Sequence, residues 1–161
     1  MGSDSETHAP ATVRAARSDD AALLAQWAIA MAWETEHKRL DPSIVERGVR
    51  AAFEQPARGR YFVAECMVDD VAAAVGTLML TYEWSDWRCG DWWWIQSVYV
   101  APEHRRRGVY SALYANVYAL AVATPLVCGL RLSVERGNAN GHGAVESPGM
   151  FDAGCAMLEG G

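Results

Sequence analysis

The apolar residues of the chain recur at helical spacing in some segments and at strand spacing in others. A short first strand is predicted over Thr12–Ala16. Ser18 is the predicted N-cap of a first helix, and Asp41–Pro42 begins a second. The apolar positions of the two helices follow the 3.6-residue repeat: Leu23, Leu24, Trp27 and Met31 in the first, and Ile44, Val45, Val49, Ala52 and Phe53 in the second.

The middle of the chain switches to the two-residue alternation of strands. Strands are predicted over Tyr61–Met67, Ala73–Glu83 and Trp92–Val100, and Asp69–Asp70 is predicted as the turn between the first two. Short polar connections between consecutive strands indicate an antiparallel meander.

The helical period returns after Gly108 and stops before Thr124–Pro125, and alternation over 130–134 predicts the next strand. A strand, a crossover helix and a strand imply one parallel pair. A last strand is predicted over Met150–Leu158. This order predicts an α/β (α+β) fold with a mixed, mostly antiparallel central sheet and flanking helices.

Length and composition limit the class of protein. The chain has 161 residues, of which 51% are hydrophobic and 21% charged, as expected for one globular domain. Residues 1–10 are small and polar, so we expect a flexible tail there and a single domain over 11–161. Because no apolar run is long enough to span a membrane and no secretory signal is recognisable, we expect a cytoplasmic protein.

The charge of the chain argues against nucleic acid as a partner. The formal net charge is −6, which repels a polyanion. Arg105, Arg106 and Arg107 are nevertheless consecutive, and this local positive charge favours a small anionic ligand. The four cysteines show no metal-ligand spacing with one another or with histidine, so we expect free thiols and no metal site.

A basic turn joins the strand ending at Val100 to the helix that begins after Gly108. The first N–H groups of a helix have no partner within it, and the helix dipole adds positive potential, so such a junction suits a phosphate. Glycine at 108 lets a ligand approach the backbone closely. The residues alone equally allow a solvated loop, and the turn is neither a P-loop nor a Rossmann fingerprint.

The segment Val98–Tyr110, VYVAPEHRRRGVY, resembles motif A of the GCN5-related N-acetyltransferase (GNAT) family, R/Q-x-x-G-x-G/A after a strand. Arg105 and Gly108 match, whereas Tyr110 replaces a glycine or alanine and asks for extra room near a pyrophosphate. The element order over about residues 12 to 158 also agrees with the family. The resemblance implies the acyl-CoA N-acyltransferase fold, with a V-shaped splay between two strands.

The resemblance implies acetyl-CoA, or a related acyl-CoA, as the co-substrate. The pantetheine arm would pair with the backbone of the central strand, and the N–H groups from Arg106 to Ser111 would hold the pyrophosphate. Asn138 matches a family asparagine that contacts the coenzyme, although a simple turn residue is nearly as good an interpretation. The implied coenzyme-binding residues are Val98, Tyr99, Val100, Arg105, Arg106, Arg107, Gly108, Val109, Tyr110, Ser111 and Asn138.

The catalytic residues follow less directly. Alternation places Trp92, Trp94 and Gln96 on one face of the central strand, and none of them is an acid. Gln96 is therefore the candidate that orients the amine or holds a relay water, or it is a polar residue satisfied within the sheet. The family's general acid is often a tyrosine seven residues after the asparagine, and Val145 stands there.

Two functions follow from the resemblance. The first is an N-acetyltransferase that acetylates a primary amine of a small molecule or peptide by direct attack in a ternary complex, slowly because Val145 cannot donate a proton. The second is a degenerate acyl-CoA-binding module that acts as a sensor or docks a partner.

Acidic residues and tryptophans cluster near the expected acceptor side. Glu34 and Glu36 are predicted to follow the first helix. Glu83, Asp86 and Asp91 flank the turn before the central strand. These acidic residues either attract a cationic amine or are simply solvated.

The favoured interpretation of the tryptophans is that they form core and a homodimer surface. The alternative is an aromatic pocket that binds an amine by cation–π contact. They are Trp84, Trp87, Trp92, Trp93 and Trp94.

Overall fold

The computed structural model describes residues 9–133 and 149–161. Most of the predicted tail and the positions of Asn138 and Val145 lie outside the described residues. The described helices and strands are, in chain order, β1 Thr12–Ala15, a 3-10 turn Ser18–Asp20, α1 Ala21–Glu36, α2 Pro42–Glu54, β2 Arg60–Val68, β3 Val71–Ser85, β4 Gly90–Val100, a 3-10 turn Pro102–His104, α3 Val109–Ala123 and β5 Val127–Leu132.

The described strands form one five-stranded sheet in the order β1-β2-β3-β4-β5. The first four are antiparallel neighbours, whereas β4 and β5 are parallel, as the crossover through α3 predicts. Asp69 and Asp70 form the turn between β2 and β3 with φ of 49° and 61°, which aspartate tolerates better than most residues. The mixed, mostly antiparallel sheet with flanking helices is thereby confirmed.

Helices cover both faces of the sheet. α3 packs on one face, and α1 and α2 pack on the other. Removing these apolar side chains from water supplies the main favourable term in folding. The core under α3 includes Phe62, Leu78, Leu80, Ile95, Leu113 and Val117, and the core under α1 and α2 includes Leu24, Ala25, Val49 and Val63.

The start of α1 differs from the sequence prediction. Ser18 lies within the 3-10 turn and does not cap the helix, so that prediction is wrong. Asp20 fixes the turn instead, because its carboxylate accepts a hydrogen bond from the backbone N–H of Arg17 (2.7 Å) and pairs with Arg14 (2.7 Å). The prediction for α2 is confirmed, since Asp41 accepts from the backbone N–H of Ser43 (2.9 Å).

The predicted last strand over Met150–Leu158 is wrong. Residues 150–161 contain no regular secondary structure. Asp152 accepts a hydrogen bond from the backbone N–H of Gly154 (2.7 Å), a local turn that competes with strand pairing. The segment buries little apolar surface, because Phe151 is 83% exposed.

Gly76 and Gly48 should respond in opposite ways to the same substitution. A Cβ on Gly76, in β3 beneath α3, would lie 3.0 Å from the carbonyl oxygen of Tyr99 and 3.0 Å from Cγ1 of Val109. We expect Gly76→Ala to lower the free energy of unfolding by about 1–3 kcal/mol through overpacking. Gly48, within α2, has nothing within 4 Å of its Cβ position, so Gly48→Ala should raise it by about 0.5–1 kcal/mol.

Chemical denaturation of the two alanine variants measures both changes. A Gly76→Ala protein as stable as Gly48→Ala would contradict the close approach of α3 to β3.

Candidate functional site

The connection from β4 to α3 bends the backbone at two left-handed positions. Arg106 has φ of 62° and Gly108 has φ of 79°. Glycine adopts this conformation without steric cost, whereas arginine does so at a cost of about 1–2 kcal/mol. The first hydrogen bond of α3 runs from the backbone N–H of Ala112 to the carbonyl of Gly108 (3.0 Å).

This bend exposes a run of backbone donors. The N–H groups from Arg106 to Ser111 have no hydrogen-bond partner within the described parts of the chain. They lie at the positive end of the α3 dipole, where an anion with several acceptor oxygens is stabilised. Apart from its chain neighbours, no described residue lies within 4 Å of a Cβ placed on Gly108, so the surface of the turn at Gly108 is open. The turn is therefore suited to a phosphate or diphosphate.

The three arginines of the turn have different surroundings. Arg106 and Arg107 are exposed and form no ion pair with any described residue. Arg105 points back to the sheet, where its Nε donates to the carbonyl of Val100 (2.9 Å) and its Nη2 to Glu34 Oε2 (2.7 Å). The side chain of Arg105 thus joins α1, β4 and the turn.

Tyr99 completes this contact with Glu34 and Arg105, and we call the three residues the Glu34 clamp. The Tyr99 hydroxyl donates to Glu34 Oε1 (3.2 Å), and the Arg105 guanidinium lies 5.5 Å from the Tyr99 ring centroid. Burial, reinforced by the neighbouring carboxylate, raises the pKa of Tyr99, so the phenol stays protonated at neutral pH. Sequence analysis had named all three residues but not their contact.

Tyr110 leaves the turn clear. Its ring stacks on that of Tyr114, one helical turn further along α3, with centroids 6.4 Å apart and planes 14° apart. Burial on the flank of α3 raises the pKa of Tyr110. The Tyr110 ring therefore lies along α3, against Tyr114.

An open edge of β4 lies beside the turn. The backbone N–H of Ala101 donates to the carbonyl of Val75 on β3 (2.9 Å). In an antiparallel pair, hydrogen-bonded and non-hydrogen-bonded residues alternate along each strand. The backbone N–H and C=O groups of Val98 and Val100 therefore point away from β3. β5 pairs with β4 only as far as Ile95. Among the described residues no strand pairs with the edge beyond, and this opening can accept an extended chain of amides.

A β-bulge lies at the inner end of this edge. The register between β3 and β4 shifts between Met79 and Leu80, which leaves Gln96 as the extra residue of β4. The Gln96 side chain is exposed, and its Oε1 accepts a hydrogen bond from Thr81 Oγ1 (3.0 Å). Thr81 therefore orients the carboxamide, whose Nε2 group can donate toward the open edge.

The tryptophans of β4 divide between the two faces of the sheet. Trp93 is buried under α3 against Tyr82, with ring centroids 6.3 Å apart, and Trp92 and Trp94 lie on the opposite face, as alternation predicts. Trp84 and Trp87 are exposed.

Glu83 is held by two donors on the face that carries Trp94. Its Oε2 accepts from Trp94 Nε1 (2.7 Å) and from Arg131 Nη1 (2.8 Å). These hydrogen bonds, the one from Trp94 first, lower the pKa of Glu83, so the carboxylate stays charged and is a weak base. Sequence analysis missed Arg131, although its place between Leu130 and Leu132 in a strand indicates the face opposite the core.

The other acidic candidates contact different groups. Glu36 pairs with Lys38 (3.4 Å), and Asp86 lies in the exposed turn between β3 and β4. Tyr82 packs on the α3 core, and its pKa is raised first by burial and then by the nearby carboxylate of Asp91.

The described residues contain no helix that is long and apolar enough to cross a membrane. They also contain no group of three or more His, Cys, Asp or Glu side chains that could hold a metal ion. The four cysteines are free thiols.

A donor-rich turn between strand and helix, next to an open strand edge in a mixed sheet, is characteristic of acyl-CoA N-acyltransferase folds. The model of the Acetyltransferase (GNAT) family matches residues 21–146. The chain therefore belongs to the GNAT acetyltransferase family, whose members use acetyl-CoA as co-substrate. No curated protein matches the sequence.

Solved structures share the fold. A possible acetyltransferase from Clostridium difficile 630 has 37% identity and a TM-score of 0.83, covering 94% of this chain and 97% of that one. An integron cassette protein from the mobile metagenome of Cole Harbour Salt Marsh has 20% identity and a TM-score of 0.77, covering 93% and 90%. A ribosomal-protein-alanine N-acetyltransferase from Brucella melitensis biovar Abortus 2308 has 16% identity and a TM-score of 0.70, covering 93% and 98%.

The Glu34 clamp predicts that Glu34→Gln and Arg105→Gln both weaken coenzyme A binding, by about two- to fivefold, because a partly exposed ion pair contributes up to about 1 kcal/mol. Glu34→Gln is the decisive variant, since it removes a negative charge near the turn. If Arg105 bound phosphate directly, Glu34→Gln would bind the coenzyme more tightly, because it removes a competing negative charge. Calorimetric titration measures whether the affinity for coenzyme A falls or rises. The matched control is Glu46→Gln, which breaks the exposed Glu46–Arg50 pair on α2.

Proposed function

We propose that the protein transfers an acetyl group from acetyl-CoA to a primary amine of a small molecule or peptide, by direct attack in a complex that holds both substrates. The observation that carries this proposal is the run of unpartnered backbone donors from Arg106 to Ser111 beside the open edge of β4. Family membership supports acetyl-CoA as the donor.

The coenzyme would bind to these two features together. The diphosphate would accept hydrogen bonds from the donors at the start of α3, and Arg106 and Arg107 would add charge at the surface. The amide groups of the pantetheine arm would pair with the outward-facing backbone of Val98 and with the N–H of Val100, whose carbonyl accepts from Arg105. Within the Glu34 clamp, Arg105 would support the turn rather than the phosphate.

This placement would bring the thioester to the bulge at Gln96. The amine nitrogen attacks the carbonyl carbon, the carbon–sulfur bond breaks, and the coenzyme leaves as a thiolate while the nitrogen loses a proton. The Gln96 carboxamide, oriented by Thr81, would orient the amine or hold a water that carries this proton away. Glutamine cannot itself act as a base, so its contribution is positional.

Acid and base catalysis would be weak. Glu83, which the sequence suggested only as a residue that attracts a cationic amine, has a lowered pKa and is bound to Trp94 and Arg131, so it is a poor base. Val145 occupies the family position of the tyrosine acid. A thiol with a pKa of about 8.5 leaves tolerably as its anion, but a missing general acid typically costs about 10²–10⁴ in rate. We therefore propose a slow enzyme.

Because Glu83 is hydrogen-bonded to Trp94 and Arg131 and is not free to act as a base, a second candidate function is an acyl-CoA-binding module without turnover. Release of free thiol from acetyl-CoA in the presence of an amine panel separates the two functions. Amine-dependent release supports acetyl transfer, whereas coenzyme binding without release on any amine supports the module.

A cytoplasmic location and a homodimer stay predictions from the sequence.

Gly108→Leu should abolish coenzyme binding while the protein stays folded. A side chain at this position enters the open space before the donors, and the left-handed backbone adds strain of about 1–2 kcal/mol. Calorimetry measures binding, and circular dichroism confirms the fold. Gly48→Leu, a glycine with equally open surroundings in α2, should keep its affinity. Unchanged affinity in Gly108→Leu would show that the diphosphate binds elsewhere.

A further inference from the structure

Two arginines stack on a tryptophan at the open face of the sheet beyond the bulge. The Arg131 guanidinium carbon lies 4.0 Å from the ring centroid of Trp92 and 6.0 Å from that of Trp94, and the guanidinium carbon of Arg88 lies 5.0 Å from that of Trp92. We call these four residues the arginine–tryptophan floor. The protein's own guanidinium groups thus already use the cation–π contacts that an aromatic amine pocket would need.

The floor carries more positive than negative charge. Glu83 pairs with Arg131 through a single oxygen. Arg88 has no carboxylate within 4.0 Å among the residues that the structure describes. Among groups in contact, two guanidinium groups therefore stand against one carboxylate, which at contact distance favours an anion over an ammonium group.

Arg131 also has donors to offer. It binds Glu83 through Nη1, and in the described parts of the chain its Nε and Nη2 have no hydrogen-bond partner. These two nitrogens lie along one edge of the planar guanidinium, which matches the two oxygens of a carboxylate. The side chain is partly exposed, so a ligand can reach this edge without disturbing the core.

The floor lies at a defined distance from the reaction site proposed above. Arg131 is paired in register with Trp94 of β4, two residues before Gln96. Two residues along a strand span roughly 7 Å. The guanidinium extends from this position over the Trp92 ring, four residues before Gln96, so an acceptor with its amine at the bulge would reach it with a group between roughly 7 and 13 Å away.

We propose that the arginine–tryptophan floor is an anion subsite for the acceptor, and that the acceptor is an amine with a carboxylate roughly 7 to 13 Å from the reacting nitrogen, as in an ω-amino acid or a diamino acid. The location of the amine rests on the proposed function. The positive field also favours the neutral form of the reacting amine, which partly offsets the lack of a carboxylate base.

The test uses two probes that differ only in charge, 7-aminoheptanoate and 7-aminoheptanamide, whose length falls within this span. Binding to the full chain is followed by tryptophan fluorescence, and acetyl transfer by release of free thiol from acetyl-CoA. We expect the acid to bind at least tenfold more tightly than the amide. Arg131→Gln should abolish this preference. Arg131→Lys should retain part of it, because lysine keeps the positive charge but cannot donate two parallel hydrogen bonds to a carboxylate.

Arg50→Gln is the matched control, since Arg50 is a similarly exposed arginine in a single ion pair on α2. It should leave the preference unchanged. Arg131→Gln leaves no buried unpaired charge, because Glu83 is exposed, and circular dichroism checks that the variant folds.

Equal binding of acid and amide, binding of neither, or a preference that survives in Arg131→Gln would each overturn the subsite. Equal thiol release with both probes would retain acetyl transfer and remove the subsite. Selective binding of the acid without thiol release would retain the subsite and count against acetyl transfer.

Discussion

The site depends on how the backbone enters α3. The left-handed conformation of Gly108 turns the chain from strand to helix, and the packing of Val109 and Leu113 beneath it holds the helix against the sheet. Gly76 permits this packing, because a side chain there would collide with the helix. The N–H donors at the start of α3 are therefore fixed before any ligand arrives. Donors that need no rearrangement bind an anion at lower entropic cost than flexible side chains do.

Much of this arrangement is predictable from sequence because its causes are local. The change of hydrophobic period around Gly108 predicts the strand, the turn and the helix, and a crossover helix predicts the parallel pair of β4 and β5. The failed prediction of a last strand over Met150–Leu158 is local too. The hydrogen bond from the Gly154 N–H to Asp152 forms a turn within the segment, and such a turn competes with strand pairing.

The contacts that decide chemistry join distant parts of the chain, and sequence analysis missed them. The match of Arg105 to the family motif suggested a phosphate ligand, yet its side chain binds Glu34, which lies in another helix. The bulge at Gln96 depends on the register with β3, which no local pattern specifies. Arg131 meets Trp92 only because β5 lies beside β4, so its role is visible only after the strand order is known.

Four arginines of this acidic chain lie near the two ends of β4. Arg106, Arg107 and the helix dipole lie at the end suited to a diphosphate, and Arg88 and Arg131 lie at the other end. Under the proposed function, this distribution would let a chain with a net charge of −6 bind anionic ligands, because fields at short range outweigh the screened net charge.

The most direct test of this account is the amide spectrum of the isotope-labelled protein during titration with coenzyme A and with pantetheine, which lacks the diphosphate. The account predicts that coenzyme A shifts the backbone amide signals from Arg106 to Ser111 together with those of Val98 and Val100, whereas pantetheine shifts only the last two. Saturable binding of coenzyme A that leaves the signals from Arg106 to Ser111 unmoved would contradict it.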